Sequence, residues 1–230
     1  MTLHSVLLYG CAAVVVATGV RLLAAFAAED GKAGGEAGGP EAPPPLALLR
    51  AWRRPLPKAA TALVACMAVL GVVQEAVPGM VDALERHPHG EWWRAVTALA
   101  VQSSGWPQLL FNLAALAVVA PVAERQFGPG RTLLVFVVSG VAAQAVSMAG
   151  WSPRGGGDSV AVCGLVGALA VRYAVARGGE AVLRRTAPLV PAAGLLLCLL
   201  ADNHGVGLLV GCALGATGGL MRPGRTAVAP

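Results

Sequence analysis

The stretch HGVGLLVGCALGATGG, residues 204–219, places a glycine at every fourth position of an apolar run: Gly207, Gly211, Gly215 and Gly219. Residues four apart lie on one face of an α-helix, so these glycines form a stripe without side chains. Such a stripe lets a second helix approach the backbone closely, which is a common way for helices to associate in lipid. The stretch therefore predicts a membrane helix packed tightly against a neighbour.

A comparable row of residues lies upstream, in the apolar run that begins at Ser159. Its members are Ser159, Cys163, Gly167 and Val171, with Gly164 and Ala168 beside them. Their spacing of four places them on one helix face. We expect this row to pack against the glycine stripe, with the two helices parallel and beginning at the same depth.

The whole chain has the composition of a membrane protein. Of its 230 residues, 56% are hydrophobic and 13% are charged, and the mean hydropathy is +0.68. A helix needs about 20 apolar residues to cross the hydrocarbon core. Seven windows approach that length: Leu3–Ala27, Ala59–Met80, Trp106–Ala123, Thr132–Gly150, Ser159–Ala176, Thr186–Ala201 and Gly205–Met221. The sequence therefore predicts an all-α polytopic membrane protein with seven spans.

The spans divide into one leading helix and a body of six. We expect residues 1–27 to form an extra N-terminal transmembrane helix. A cleaved signal peptide has basic residues before its apolar run, and no basic residue precedes the apolar run here. Residues 28–58 are rich in Gly, Pro and charge and predict a flexible linker. Residues 59–222 form the predicted six-helix core, and residues 223–230 a short tail.

The basic residues predict the orientation of the spans. One set of loops carries thirteen of the 17 Lys and Arg residues, the opposite set carries three, and Arg21 lies inside the first span. By the positive-inside rule, the linker and the C-terminus are cytoplasmic and the N-terminus is outside. This spread among loops also argues against nucleic-acid binding, despite the net charge of +5.

Polar residues cluster where three predicted helices enter the membrane from the outer face. They are Gln108, Asn112, Ser159, Asp202, Asn203 and His204. Polar groups at membrane depth are costly and indicate functional sites. If the two rows pack together, the Ser159 hydroxyl meets the His204 imidazole, which is the arrangement of a nucleophile and its base. A structural explanation also exists for each residue. Ser159 or Asp158 could be the N-cap of a helix, and a histidine at a helix start is more often structural than catalytic.

Two amide side chains on the predicted span Trp106–Ala123 could stabilise the oxyanion that forms when a serine attacks a carbonyl group. Asn112 and Gln108 lie one turn apart, and each carries an NH₂ group that can donate to an oxyanion. The backbone N–H of Ser159, at its helix start, is a further candidate donor.

Five motifs, in this order, resemble those of the rhomboid intramembrane serine proteases. They are Glu91-Trp-Trp-Arg94, Gln108-Leu-Leu-Phe-Asn112, Glu124-Arg-Gln-Phe-Gly-Pro-Gly-Arg131, Gly157-Asp-Ser159 through Gly167, and His204-x-x-Gly-Leu-x-x-Gly211. The resemblance covers Ala59 to Met221. It implies a rhomboid-like six-helix bundle in which Ser159 is the nucleophile and His204 the base. The implied dyad requires no acid, so proximity alone gives Asp202 no role.

Three positions depart from the family pattern. Val160 replaces the glycine after the nucleophile and is expected to narrow the approach of a substrate. Gln108 replaces a histidine, and it can donate a hydrogen bond but carries no proton that titrates near neutrality. Cys163 replaces an aromatic residue that stacks on the base, so the His204 ring is expected to be held less firmly.

The resemblance implies an integral, multi-pass protein of a bacterial plasma membrane that cleaves transmembrane substrates near the outer leaflet, without a metal or organic cofactor. The lipid bilayer and transmembrane-helix proteins are its expected partners. The three departures keep open an alternative, a catalytically inactive rhomboid-like protein that binds transmembrane segments. His87-Pro-His89 is a weak metal pattern and is interpreted as a solvated loop. The oligomeric state and the role of the leading helix stay open.

Overall fold

The computed structural model of the chain describes residues 2–33, 50–53, 55–151, 154–176 and 179–220. Within these residues the regular elements are helices, and no strand occurs. A 3-10 turn spans Arg50–Trp52, and a π-helical turn, Ser147–Trp151, follows α6. The α-helices are α1 Leu3–Ala33, α2 Lys58–Ala76, α3 Met80–Leu84, α4 Arg94–Thr97, α5 Trp106–Phe127, α6 Pro129–Val146, α7 Ser159–Val175, α8 Ala181–Thr186, α9 Leu189–Leu199 and α10 Asn203–Leu220.

The apolar helices confirm the predicted all-α polytopic membrane bundle. Five segments of the described chain are long and apolar enough to cross a membrane: Leu3–Glu29, Lys58–Ala76, Trp106–Phe127, Pro129–Trp151 and Ala181–Leu199. Helix α7 is apolar but shorter, with 17 residues, and α10 has 18. These two shorter helices are the ones on which Ser159 and His204 lie.

Helices α1 and α2 end at residues other than the predicted Ala27 and Met80. Helix α1 continues to Ala33, beyond the predicted end at Ala27, so the first part of the predicted linker is helical. Helix α2 ends at Ala76, because Pro78 disfavours helical backbone in the residue before it. The rest of the linker, residues 34–49 and 54, lies outside the described residues, as does the predicted tail 223–230.

Two further helices have bounds that differ from the predicted ones, and glycine or proline residues lie at these bounds. Helix α5 runs through Pro121 and ends at Phe127, where Gly128 adopts a φ of 80° that favours glycine. The predicted span Thr186–Ala201 corresponds to α9, and it is preceded by the short helix α8, which ends at Thr186 with a break before α9. Pro188 lies at this break, immediately before the first residue of α9, where a missing N–H is tolerated.

Helices α7 and α10 pack with their backbones in contact. The contacts pair Gly207 with Val160, Gly211 with Gly164, and Gly215 with Ala168. A Cβ added at Gly211 would overlap the Gly164 carbonyl oxygen. The glycine stripe therefore packs as predicted, but its partner row on α7 is one residue along from the predicted row, because Gly164 and Ala168 offer the smaller surface.

Helix α1 packs against the core mainly through its second half. Leu22, Leu23, Phe26 and Ala27 are each at most 4% exposed. The Phe26 ring meets the Tyr173 ring of α7 edge to face, with 5.4 Å between centroids. Towards the start of α1 the contacts are sparser: Cys11 and Val15 are buried and Leu8 packs partly buried against the core.

The close α7–α10 contact predicts that one methyl group at Gly211 destabilises the protein. Gly211→Ala forces the two helices apart, and overpacking of this kind costs about 1 to 3 kcal/mol. Gly10→Ala is the matched control, because a Cβ at Gly10 has no neighbour within 4 Å. Thermal unfolding in detergent should show a lower midpoint for Gly211→Ala and no decrease for Gly10→Ala. Equal midpoints would contradict the close packing.

Candidate active site

Ser159 and His204 meet at the N-terminal ends of α7 and α10. Ser159 is the first residue of α7, and His204 is the second residue of α10. The Ser159 Oγ lies 3.0 Å from the His204 Nε2, within hydrogen-bond distance. The two helices begin at the same level and pack along glycines, so their first turns are held side by side.

Asp202 contacts the other ring nitrogen of His204. Its Oδ1 lies 2.8 Å from the His204 Nδ1 and also accepts a hydrogen bond from the His204 backbone N–H, at 2.9 Å. Burial acts to raise the pKa of the Asp202 carboxyl, but the hydrogen bonds and the charge of His204 outweigh it and lower that pKa. A carboxylate at this position selects the tautomer in which Nε2 is free to accept the serine proton.

The sequence reasoning gave Asp202 no role, and a local signal for it exists. Asp202 immediately precedes α10, and an aspartate at an N-cap accepts from the N–H two residues on. Ala201, with a φ of 55°, makes the turn between α9 and α10, and the Asp202 N–H donates to the Leu197 carbonyl. The turn therefore holds the Asp202 carboxylate beside the Nδ1 of the His204 ring.

The two candidate oxyanion residues lie in different environments. Asn112 is 2% exposed, lines the cavity beside Ser159, and donates from Nδ2 to the Gln102 Oε1 at 2.7 Å. Gln108 donates from Nε2 to the Gly156 carbonyl at 2.9 Å and is not among the described residues that line the cavity. Asn112 is thus close to the serine–histidine pair, whereas Gln108 supports the loop that precedes Ser159.

A buried polar network behind Ser159 was not predicted from the sequence. Gln102 donates from Nε2 to the Asp158 Oδ1 at 2.8 Å, and its backbone N–H donates to the Gln74 Oε1. Asp158 is the N-cap residue of α7, but its side chain makes no capping hydrogen bond. The network joins Asn112, through Gln102, to the residue before Ser159, and it thereby fixes the distance between the two.

Burial raises the pKa of the Asp158 carboxyl above its ordinary value. The side chain is almost fully buried, and loss of hydration disfavours its charged form. The hydrogen bond from Gln102 opposes this effect only in part. Folding therefore shifts the protonation equilibrium of Asp158 towards its neutral form.

The loop before Ser159 is held from three sides. Gly155 and Arg86 form an antiparallel bridge, with N–H···O distances of 3.0 and 3.2 Å. The Gly157 N–H donates to the Ala98 carbonyl, and Gln144 donates to the Gly157 carbonyl at 3.0 Å. A Cβ at Gly157 would overlap the end of the Gln108 side chain, and the φ of 153° at Gly157 favours glycine. The serine is thus presented by a rigid loop.

Val160 and Cys163, two of the departures from the family pattern, lie in different places relative to the cavity. Val160 is 2% exposed, packs into the core and is not among the described residues that line the cavity. It therefore does not narrow the approach to Ser159, because its side chain points away from the cavity. Cys163 does line the cavity, one turn below Ser159, where a small side chain leaves open space.

A cavity of about 630 Å³ leads to the serine–histidine pair. Its polar end contains Asn112, Ser159, Asp202 and His204, and the rest of its wall is almost entirely apolar. Apolar pockets of this size with a few convergent polar groups are typical of ligand and active sites.

The chain is similar to known proteins over the region that contains Asn112, Ser159 and His204. A family profile described as Rhomboid domain matches residues 89–220, more than half of the chain. The rhomboid protease GluP of Bacillus subtilis (strain 168) is 36% identical over 80 residues, which are 35% of this chain and 16% of GluP. YdcA of the same organism, provisionally named a rhomboid protease, is 42% identical over 53 residues, or 23% of this chain and 26% of YdcA. The chain thus aligns with about a quarter or less of these relatives' lengths.

The raised pKa of Asp158 predicts a pH-dependent stability. A carboxyl whose pKa is higher in the folded state stabilises the fold at low pH, and this contribution is lost as pH rises through the folded pKa. The midpoint of thermal unfolding in detergent should therefore fall more for the wild type than for Asp158→Asn as the pH rises from about 4 to 8. Parallel pH profiles of the two proteins would contradict a raised pKa of the buried Asp158 carboxyl.

Proposed function

The chain belongs to the rhomboid family, and from that membership we propose that it is an intramembrane serine endopeptidase acting on transmembrane protein substrates. The observation that carries the proposal is the 3.0 Å separation of the Ser159 Oγ and the His204 Nε2. A protein that only retained transmembrane segments would have no use for this pair.

The proposed first step acylates Ser159. His204 Nε2 takes the hydroxyl proton while Oγ forms a bond to the scissile carbonyl carbon, which gives a tetrahedral oxyanion. The carbon–nitrogen bond then breaks, and His204 returns the proton to the leaving amine. The product is an ester between Ser159 and the N-terminal part of the substrate.

The proposed second step hydrolyses this ester. His204 takes a proton from a water molecule, the hydroxide adds to the ester carbon, and the proton passes back to Oγ as the acid leaves. Asn112 and the backbone N–H of Ser159 are proposed to stabilise both oxyanions, and one such donor typically contributes about 3 kcal/mol. Gln108 contributes to this role if its amide turns from the Gly156 carbonyl.

Asp202 is proposed to position His204. Its hydrogen bond to Nδ1 orients the ring and favours the imidazolium that forms during each step. Cys163 leaves the ring without the aromatic partner that is usual in the family, and the Asp202 contact compensates by holding the ring from its other side. The proposed site is therefore a dyad with an added carboxylate.

The proposed placement in the membrane follows the basic residues. The N-terminus is proposed to face outward and the C-terminus the cytoplasm of a bacterial cell, so that Ser159 and His204 lie near the outer leaflet. The division into a leading helix, a linker, a core of residues 59–222 and a tail also stays a proposal, since the family match begins at residue 89.

The first test of this function is covalent labelling with a fluorophosphonate. In detergent, the wild type should form an adduct on Ser159, which intact-mass spectrometry and peptide mapping would locate. Ser159→Ala should form none, and His204→Ala should label slower by a factor on the order of 100 to 10,000, because the base is lost. A correctly folded wild type that stays unlabelled would instead favour the inactive, segment-binding alternative.

A second test separates the two functions of Asp202, capping of α10 and positioning of His204. Serine caps helices as well as aspartate does, but it is too short to reach Nδ1. Asp202→Ser should therefore keep the unfolding midpoint and lower the labelling rate on the order of 100-fold. Asp202→Glu, which can reach Nδ1, should recover part of the rate. If Asp202→Ser labels at the wild-type rate, Asp202 is a cap only.

A further inference from the structure

The cavity in front of Ser159 has an unexpected wall, the leading helix α1. The α1 residues that line it are Ser5, Leu8, Tyr9, Ala12, Val15, Val16, Gly19, Val20 and Leu23. They recur every three or four residues and so form one stripe of the helix. The facing wall is α5, and α7 and α10 form the floor. Helix α1 lies outside the rhomboid match at residues 89–220, so this wall is an addition to the shared domain.

The cavity is a cleft that opens sideways between α1 and α5. Tyr9 and Val16 on α1, and Phe111 on α5, line the cleft yet are 69%, 58% and 68% exposed. In a membrane protein, such exposed apolar side chains face lipid. The cleft therefore connects the serine–histidine pair with the hydrocarbon region.

The size of the cleft suits a short segment of chain. Its volume of about 630 Å³ lies within the range of about 300 to 1,000 Å³ that is usual for ligand pockets, whereas a helix about 10 Å across that spans the membrane with about 20 residues fills roughly 2,400 Å³. A complete transmembrane helix does not fit. The residues around one scissile bond fit, while the rest of the substrate helix stays in lipid beside α1 and α5.

The chemistry of the cleft favours a peptide over a lipid chain as its occupant. Its apolar length matches the side chains of a transmembrane segment. Its polar end presents Asn112, Ser159 and His204, which can bind a backbone carbonyl, whereas an acyl chain offers these groups no hydrogen bond. A peptide occupant therefore satisfies both ends of the cleft.

The α1 wall is fixed at its inner end. Leu22 and Phe26 are at most 3% exposed, and Phe26 packs on Tyr173. In the outer half, Cys11 and Val15 are buried and Leu8 packs partly buried against the core. The cleft thus has a permanent inner end and a more loosely packed outer wall beside Ser159.

From these observations we propose that α1 forms half of the substrate-binding cleft, which receives the segment around the scissile bond, and that Ala12 and Val16 select its apolar side chains. This inference rests on the proposed protease function. In this proposal the leading helix α1 contributes to the choice of substrate and does more than attach the linker to the membrane.

Photocrosslinking of the full-length chain tests binding without catalysis. Benzoylphenylalanine is placed at position 12 or at position 17 of the Ser159→Ala protein in liposomes. Ala17 is also exposed but does not line the cleft, because it lies about 140° round the helix from Ala12. The binding probe is a biotinylated peptide with about 20 leucines and alanines and a Gly-Ala-Gly sequence at its outer end. The peptide should crosslink from position 12 and not from position 17. Crosslinks from both positions, from neither, or to lipid alone would overturn the proposal.

A pair of tryptophan variants tests the same wall during cleavage. Ala12→Trp fills the cleft and should slow cleavage of the peptide about tenfold or more, while Ala17→Trp leaves the rate unchanged. Both should unfold at the wild-type midpoint. Cleavage by Ala12→Trp at the wild-type rate would overturn the α1 wall. If the wild type neither labels nor cleaves but still crosslinks from position 12, the protease function fails and the binding cleft stands.

Discussion

The close contact between α7 and α10 is the constraint on which the proposed chemistry depends. At Gly211 the two backbones touch at the Gly164 carbonyl, and no side chain separates them. This contact brings the first turns of two helices near enough for a serine on one to meet a histidine on the other. Interhelical packing in lipid has little hydrophobic driving force, so small residues at such a contact matter more than they do in water. The position of the site is therefore a consequence of glycine spacing.

A second set of interactions controls the loop that enters α7. The Gly155–Gly157 backbone is held by Arg86, Ala98 and Gln144. Behind it, Gln102 links Asp158 to Asn112. Buried amides stabilise a structure only when they are hydrogen-bonded, and here they join the loops before α5 and α7 to helices α2, α5 and α6. The glycine contact brings the helices together, and this network orients the groups that face the cavity.

The sequence allowed much of the fold to be predicted, because glycine spacing and apolar windows report directly on membrane helices. It also placed Ser159, His204 and Asn112 on helices that begin at the same face. The contacting row of α7 was predicted one residue away, since Cys163 and Gly164 are both small and spacing alone does not choose between them. Gln102 could not be identified from the sequence, because it lies in a loop and its burial depends on contacts with Asp158 and Gln74 that are distant in sequence.

The proposed division of labour joins three parts of the chain. The core supplies the serine–histidine pair, Asp202 holds the base, and α1 closes one side of the cleft. The central claim is that glycine packing places Ser159 and His204 within bonding reach. A crystal or cryo-electron microscopy structure of the fluorophosphonate-treated protein in lipid tests it most directly. The account predicts the adduct on the Ser159 Oγ, with His204 beside it and the Gly211 and Gly164 backbones in contact. A structure that separates the serine and histidine side chains by the diameter of a helix would contradict it.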